Sequence, residues 1–251
     1  MTNASSQEIL LVEQKGPILW LTLNRPNKYN ALSIELNEAL VRVCQTVPSG
    51  VAVVVLRGEG KHFCVGSDLK DLYRVDRAEA ERTIRIELEV CRSLAKLPQL
   101  TVAILHGKCF GGGAIMPFYC DWRIGRPGVE FALPEVSLGW APPYGIERMH
   151  TNVPRPFALD MLLTGRTCGD REALERGWIH RLMAPDEELT LLEKLAHIPR
   201  LTLDDTLALA APKNLEKTEQ ADERAFVAFL NHFDTDHARN QIASFVEKKR
   251  N

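Results

Sequence analysis

Apolar positions recur along the chain with two periods, and they sort it into elements. Residues 17–24, PILWLTLN, alternate well enough for a strand with one buried face. A polar loop follows from Asn24 to Asn30. Ser33 then caps a helix expected to run to about Thr46, with Leu36, Leu40 and Val43 on one face. Val51–Leu56 is continuously apolar and reads as a strand buried on both faces. Asp68 suits the N-cap of a short helix over 69–73, and a longer helix is expected over roughly 78–97. In that longer helix Ile84, Leu88, Cys91 and Leu94 fall at helical spacing, Glu and Arg fill the other faces, and Pro98 ends it.

The same reading continues past the middle of the chain. Thr101–Leu105 is a second buried strand, and short strands are expected at 122–125 and 130–133. Residues 139–145, GWAPPYG, hold too much Gly and Pro for regular structure and predict a shaped loop. Helices are expected at 155–163 and 170–177, and a last short strand at 178–183. From about Glu187 the pattern is helical only, down to the charged tail 248–251. Alternating strands and helices followed by helices alone predict an α/β core over 1–190 with a helical C-terminal region over 191–251.

Composition narrows the function classes. A chain of 251 residues, 45% hydrophobic and 25% charged, is an ordinary globular composition. The net charge of −2 gives no reason to expect nucleic acid or an anionic membrane as partner. The six cysteines show no CxxC or Cys/His ligand spacing, so they read as reduced core residues of a cytoplasmic protein, with no metal site. The N-terminus lacks the charge-then-apolar pattern of a secretory signal, and no apolar run is long enough to span a bilayer.

Chemistry concentrates at two glycine turns. Residues 101–121, TVAILHGKCFGGGAIMPFYCD, run from strand through three consecutive glycines into an apolar helix-like stretch. A strand–glycine–helix junction leaves backbone N–H groups without acceptors at the positive end of a helix dipole. It suits a phosphate or an oxygen that becomes negative during a reaction. The sequence matches neither GxxxxGK[ST] nor GxGxxG, and no Ser sits between the glycines, which argues against a nucleotide loop and a nucleophile elbow. Cys109 has no base beside it in sequence. A second turn, 62–69 (HFCVGSDL), also lies between a buried strand and a helix start, so the two turns together can aim N–H groups at one oxygen.

NRPxxxNAL at 24–32, FCxGxDL at 63–69, the GGG run, FxxPE at 131–135, LLTGR at 162–166 and AxxxGW at 173–178 occur in this order along the chain. Together they resemble the crotonase family, also called the enoyl-CoA hydratase/isomerase superfamily. The resemblance implies a spiral of ββα turns with C-terminal helices used in trimer formation, as homotrimer or hexamer. The implied substrate is an acyl thioester of coenzyme A, or of an acyl carrier protein, with no separate cofactor. By motif, the two N–H donors to the thioester oxygen fall on Ser67 and Gly112, and Asp68 is left as a structural cap.

The family's hydratases use two glutamates on either side of a water. Here the first motif position holds Ile115, and the second holds Glu135. The expectation is therefore a single acid–base carboxylate, which suits a double-bond isomerase or a lyase-type hydratase acting on aromatic acyl groups. Such a carboxyl needs a pKa raised toward neutrality by an apolar pocket. Decarboxylation or thioester hydrolysis on the same donors is the alternative reaction, and a fold retained only for binding is the non-enzyme reading. By the same resemblance Arg25 and Lys28 lie at the CoA loop, and Tyr73, Ile115, Trp140 and Tyr144 lie around the acyl group. His62 reads as a turn residue, and His232 and His237 lie in the C-terminal helices. Pro117, inside the expected helix, would break a backbone hydrogen bond there.

Overall fold

The computed structural model describes residues 8–210 and 215–248; the last three residues of the expected charged tail lie outside them. The chain opens with the antiparallel pair β1 (Leu10–Lys15) and β2 (Ile18–Leu23) and continues through α1 (Ile34–Gln45), β3 (Val53–Gly58), α2 (Leu69–Arg74) and α3 (Arg77–Ala95). Next come β4 (Leu100–Leu105), β5 (Lys108–Phe110), α4 (Gly112–Ile115), β6 (Trp122–Gly125) and β7 (Glu130–Ala132). Then follow α5 (Ile146–His150), α6 (Arg155–Thr164), β8 (Cys168–Gly169), α7 (Asp170–Glu175) and β9 (Arg181–Leu182). Four helices close the chain: α8 (Pro185–Ala196), α9 (Arg200–Ala210), α10 (Leu215–Phe233) and α11 (Asp236–Lys248).

Six strands form one sheet in the order β1-β2-β3-β4-β6-β9, parallel from β2 onward, and β5, β7 and β8 form a smaller second sheet. The alternation along β2 divides two cores. Leu19, Leu21 and Leu23 face the main core, while Ile18 and Trp20 face a second core closed by Leu192 of α8 and Leu203 of α9. Both faces of the central strands are therefore buried, as their continuous apolar runs require.

Local signals acted as expected at several points. The Ser33 hydroxyl accepts from Leu36 N–H, and the Asp68 carboxylate accepts from Lys70 N–H. Pro117 breaks no helix, because α4 stops at Ile115 and a 3₁₀ turn, Met116–Tyr119, takes over with the proline in its first turn. Two readings differ. The strand expected at 178–183 is only Arg181–Leu182, because Trp178 turns into an aromatic cluster with Phe118, Phe131 and Phe157. β2, expected to bury one face, is buried on both, because α8 and α9 cover the face that carries Ile18 and Trp20; β1, which the apolar pattern does not mark, is an edge strand exposed from Val12 to Lys15.

The boundary read at residue 190 falls inside α8. The C-terminal helices divide into two roles: α8 and α9 cover the sheet, whereas α10 packs on α3 and α5 and α11 packs on α2. No helix among the described residues is long and apolar enough to cross a membrane. All six cysteines are buried with free thiols.

Candidate active site

The two glycine turns meet. β-Bridges join Cys64 to Cys109 and Leu32 to Ser67, and Phe110 N–H donates to Cys64 O at 3.0 Å. Gly66 adopts φ +82°, and a Cβ there would stand 2.9 Å from the Gly112 nitrogen. Only glycine lets the turns close to this distance. Around Ser67, Leu32 N–H donates to Gly66 O and Asp68 N–H donates to Leu32 O, which fixes the turn. Among the described residues neither the Ser67 N–H nor the Gly112 N–H at the start of α4 has an acceptor.

Each glycine of the triplet has its own neighbour. A Cβ at Gly111 would lie 3.1 Å from Glu135 Oε1. At Gly112 it would meet Tyr144 Oη at 2.5 Å and Glu87 Oε2 at 3.6 Å, and at Gly113 it would run into Cys64 O at 2.2 Å. The turn is thus flanked by two carboxyl groups, Glu135 by Gly111 and Glu87 by Gly112. The sequence motifs mark one carboxylate here, Glu135, and the fold brings a second, Glu87, to the same cavity. Glu87 belongs to α3 and lies on the stripe that Ile84, Leu88, Cys91 and Leu94 define. An acid among the apolar positions of an amphipathic helix was the available signal.

These groups line an inner cavity of about 50 Å³, walled by Val65, Leu72, Ile84, Ile115, Leu138 and Trp140 among others. Glu87 Oε1 and Glu135 Oε2 are buried without a hydrogen-bond partner among the described residues. Glu87 Oε2 accepts from the Tyr144 hydroxyl at 3.0 Å. Burial pushes the Glu135 carboxyl up to about 7, its own backbone N–H pulling slightly the other way. Burial likewise raises Glu87 to about 7, against the pull of the nearby Ser67 and Tyr144 hydroxyls, and the Glu135 charge adds a smaller push. Ser67 bears on that carboxyl without making a full hydrogen bond to Oε1.

The other site residues read from sequence divide. Ile115, Trp140 and Tyr144 line the cavity. Trp140 is also held by edge contact with Phe229 of α10, at 5.3 Å between ring centroids. Tyr73 packs against the main core and does not line the cavity. Arg25 turns inward, donating to Ala31 O and pairing with Asp68 at 3.2 Å, contacts that clamp its loop. The His62 ring accepts from Lys108 N–H and has a turn role. His232 and His237 are exposed and line neither the cavity nor the groove outside it.

Val65, Ser67, Leu69, Pro134 and Leu138 are shared with an outer groove of about 680 Å³. Lys28, Lys70 and Lys108 stand on its rim, exposed and without a carboxylate partner within 4 Å among the described residues. Phe245 and Val246 of α11 close its far side, and Phe229 of α10 reaches the inner cavity. The chain's own C-terminal helices therefore complete its cavity.

A six-stranded, mainly parallel sheet leading into paired glycine turns, with C-terminal helices over the cavity, defines the enoyl-CoA hydratase/isomerase fold class. The family profile described as enoyl-CoA hydratase/isomerase matches residues 13–251, and the chain belongs to this family. It is 31% identical to a probable enoyl-CoA hydratase of Rhizobium meliloti, over 98% of this chain and 97% of the relative. It is 26% identical to the short-chain-enoyl-CoA hydratase of Clostridium acetobutylicum, over 96% and 95% of the two chains. Its fold is similar to the crystal structure of an enoyl-CoA hydratase/isomerase from Mycobacterium paratuberculosis, with a TM-score of 0.86, 23% identity, and 94% and 98% of the two chains covered.

Proposed function

We propose that this chain binds an acyl-CoA thioester in the groove and cavity and moves a proton at the carbon next to the thioester through an enolate intermediate. The backbone N–H groups of Ser67 and Gly112 hold the thioester oxygen, and Glu135 is the acid–base group at Cα. The observation that carries this reading is the closure of Gly66 on Gly112, which leaves two N–H donors without acceptors beside a buried carboxyl. Preorganised donors in an apolar cavity stabilise the charge of an enolate, each contributing on the order of 3 kcal/mol. Glu135, raised to about 7, can both take and return a proton near neutral pH. The three lysines on the rim suit the phosphates of coenzyme A. Enoyl-CoA hydration and double-bond isomerisation both use this enolate.

The direct test is exchange of the α-hydrogens of butyryl-CoA for deuterium in D₂O, followed by mass spectrometry. Wild type is expected to exchange, and Glu135→Gln to lose about 100-fold or more of that rate. Exchange that survives Glu135→Gln would remove this carboxyl from the mechanism.

A further inference from the structure

The sequence has no acid at residue 115, but the fold brings one from elsewhere. We infer that Glu87, seated by the Tyr144 hydroxyl, is the second proton-transfer group of this site and activates water for addition across the double bond of a trans-2-enoyl-CoA. The inference rests on the enolate reading above and names the reaction that this site runs.

Four observations converge on Glu87. It is 1% exposed, in a cavity wall otherwise made largely of apolar side chains, where an acid without a function is an expensive residue. One carboxylate oxygen is fixed by Tyr144 Oη at 3.0 Å, and the other has no partner. A hydrogen bond to one oxygen orients the carboxyl and leaves the second oxygen available to a water. The cavity of about 50 Å³ has room for that water, which needs roughly 10–15 Å³ on this measure. Finally, Glu87 and Glu135 flank successive residues of the glycine turn, Gly112 and Gly111, so a thioester held at that turn would lie within reach of both. Burial has also brought both carboxyls to about 7, so one can be ionised while the other keeps its proton.

The step balances as follows. Ionised Glu87 takes a proton from water, and the water oxygen bonds to Cβ. The π electrons of the Cα–Cβ double bond pass to the thioester, whose oxygen becomes the enolate held by Ser67 and Gly112 N–H. Protonated Glu135 gives its proton to Cα, and the enolate returns to a thioester. One water has been added. Glu87 is left protonated and Glu135 ionised, and one proton passing between them through solvent resets the pair. Tyr144 keeps its proton throughout and acts as a positioning residue.

The experiment compares two rates in wild type, Glu87→Gln and Tyr144→Phe: hydration of crotonyl-CoA and α-deuterium exchange of butyryl-CoA. Glu87→Gln keeps the shape and can still accept from Tyr144, but it takes no proton. It is expected to lower hydration by about 100-fold or more, and to lower hydration at least about tenfold more than exchange. Tyr144→Phe is expected to lower hydration about tenfold, the effect of losing one orienting hydrogen bond. Hydration that persists in Glu87→Gln overturns the inference. So does an equal fall in both rates, which would make Glu87 a support of the cavity wall. A wild type that exchanges but hydrates no short-chain enoyl-CoA also overturns it and leaves the enolate reading standing. A wild type with no exchange overturns both.

Discussion

Asp222 of α10 holds Gly145, accepting from its N–H at 2.8 Å with one carboxylate oxygen while the other accepts from the Tyr119 hydroxyl at 2.8 Å. One side chain thus joins a C-terminal helix to the end of the 139–145 loop and to the 3₁₀ turn that follows the glycine triplet. Trp140 and Tyr144 of that loop wall the cavity. Asp222→Ala leaves two buried donors unpaired and is expected to destabilise the fold by about 2–5 kcal/mol, read by urea unfolding. Asp222→Asn can still accept from Gly145 and can donate to the tyrosine oxygen. It is expected to lie within about 1 kcal/mol of wild type. Equal losses in the two variants would refute this account of the joint.

The glycine at 66 and the serine at 67 should respond very unequally. A Cβ at Gly66 meets the Gly112 nitrogen and Phe110 O at 3.0 Å or less, on a backbone with φ +82°. Gly66→Ala must spread the two donor turns and is expected to lower turnover by about 100-fold or more, the effect of losing one oxyanion donor. Ser67→Ala keeps the backbone N–H and is expected to stay within about tenfold of wild type. Steady-state rates on one enoyl-CoA distinguish the two, and a Gly66→Ala enzyme of normal activity would remove the closure of these turns from the mechanism.

The rim lysines offer a test that leaves the chemistry alone. Replacing Lys28, Lys70 and Lys108 together by Glu reverses charge at the outer groove and leaves the inner cavity untouched. KM for an acyl-CoA is expected to rise by about tenfold or more, most strongly at low ionic strength, with kcat changed little. The matching pantetheine thioester, which lacks the nucleotide phosphates, should show no such rise. A parallel rise for both substrates would assign the lysines a different task.

Stability should carry the signature of the two buried acids. Glu87 and Glu135 are raised from an ordinary value near 4.5 to about 7. Between those values the folded chain keeps protons that the unfolded chain releases. These groups therefore make stability fall as pH rises through that window, by up to roughly 3 kcal/mol for each carboxyl, titrating as a coupled pair. Below about pH 4.5 both states are protonated and the contribution is level. In a Glu87→Gln/Glu135→Gln variant the fall between about pH 4.5 and 7 should flatten, as read by urea unfolding across that range. An unchanged slope would mean that neither carboxyl holds its proton in the folded state.

The sequence by itself determined what depends on local spacing. Apolar runs fixed β3 and β4, the caps at Ser33 and Asp68 set two helix starts, and the glycine motifs marked 66 and 111–113 as places where backbone must come close. It also marked Ile115, Glu135, Trp140 and Tyr144, all of which the fold gathers at one cavity. The tertiary structure decided what depends on distance across the chain. Glu87 lies 25 residues before Gly112 on a separate helix, and its meeting with Tyr144, 57 residues on, has no mark in local spacing. Arg25 matches a ligand-loop motif, yet its guanidinium is drawn inward by Asp68, 43 residues away. Periodicity reports which face of an element is buried. Which groups then share that buried space is set by how the sheet, α3 and α10 pack, and here that packing places a second carboxylate at the site.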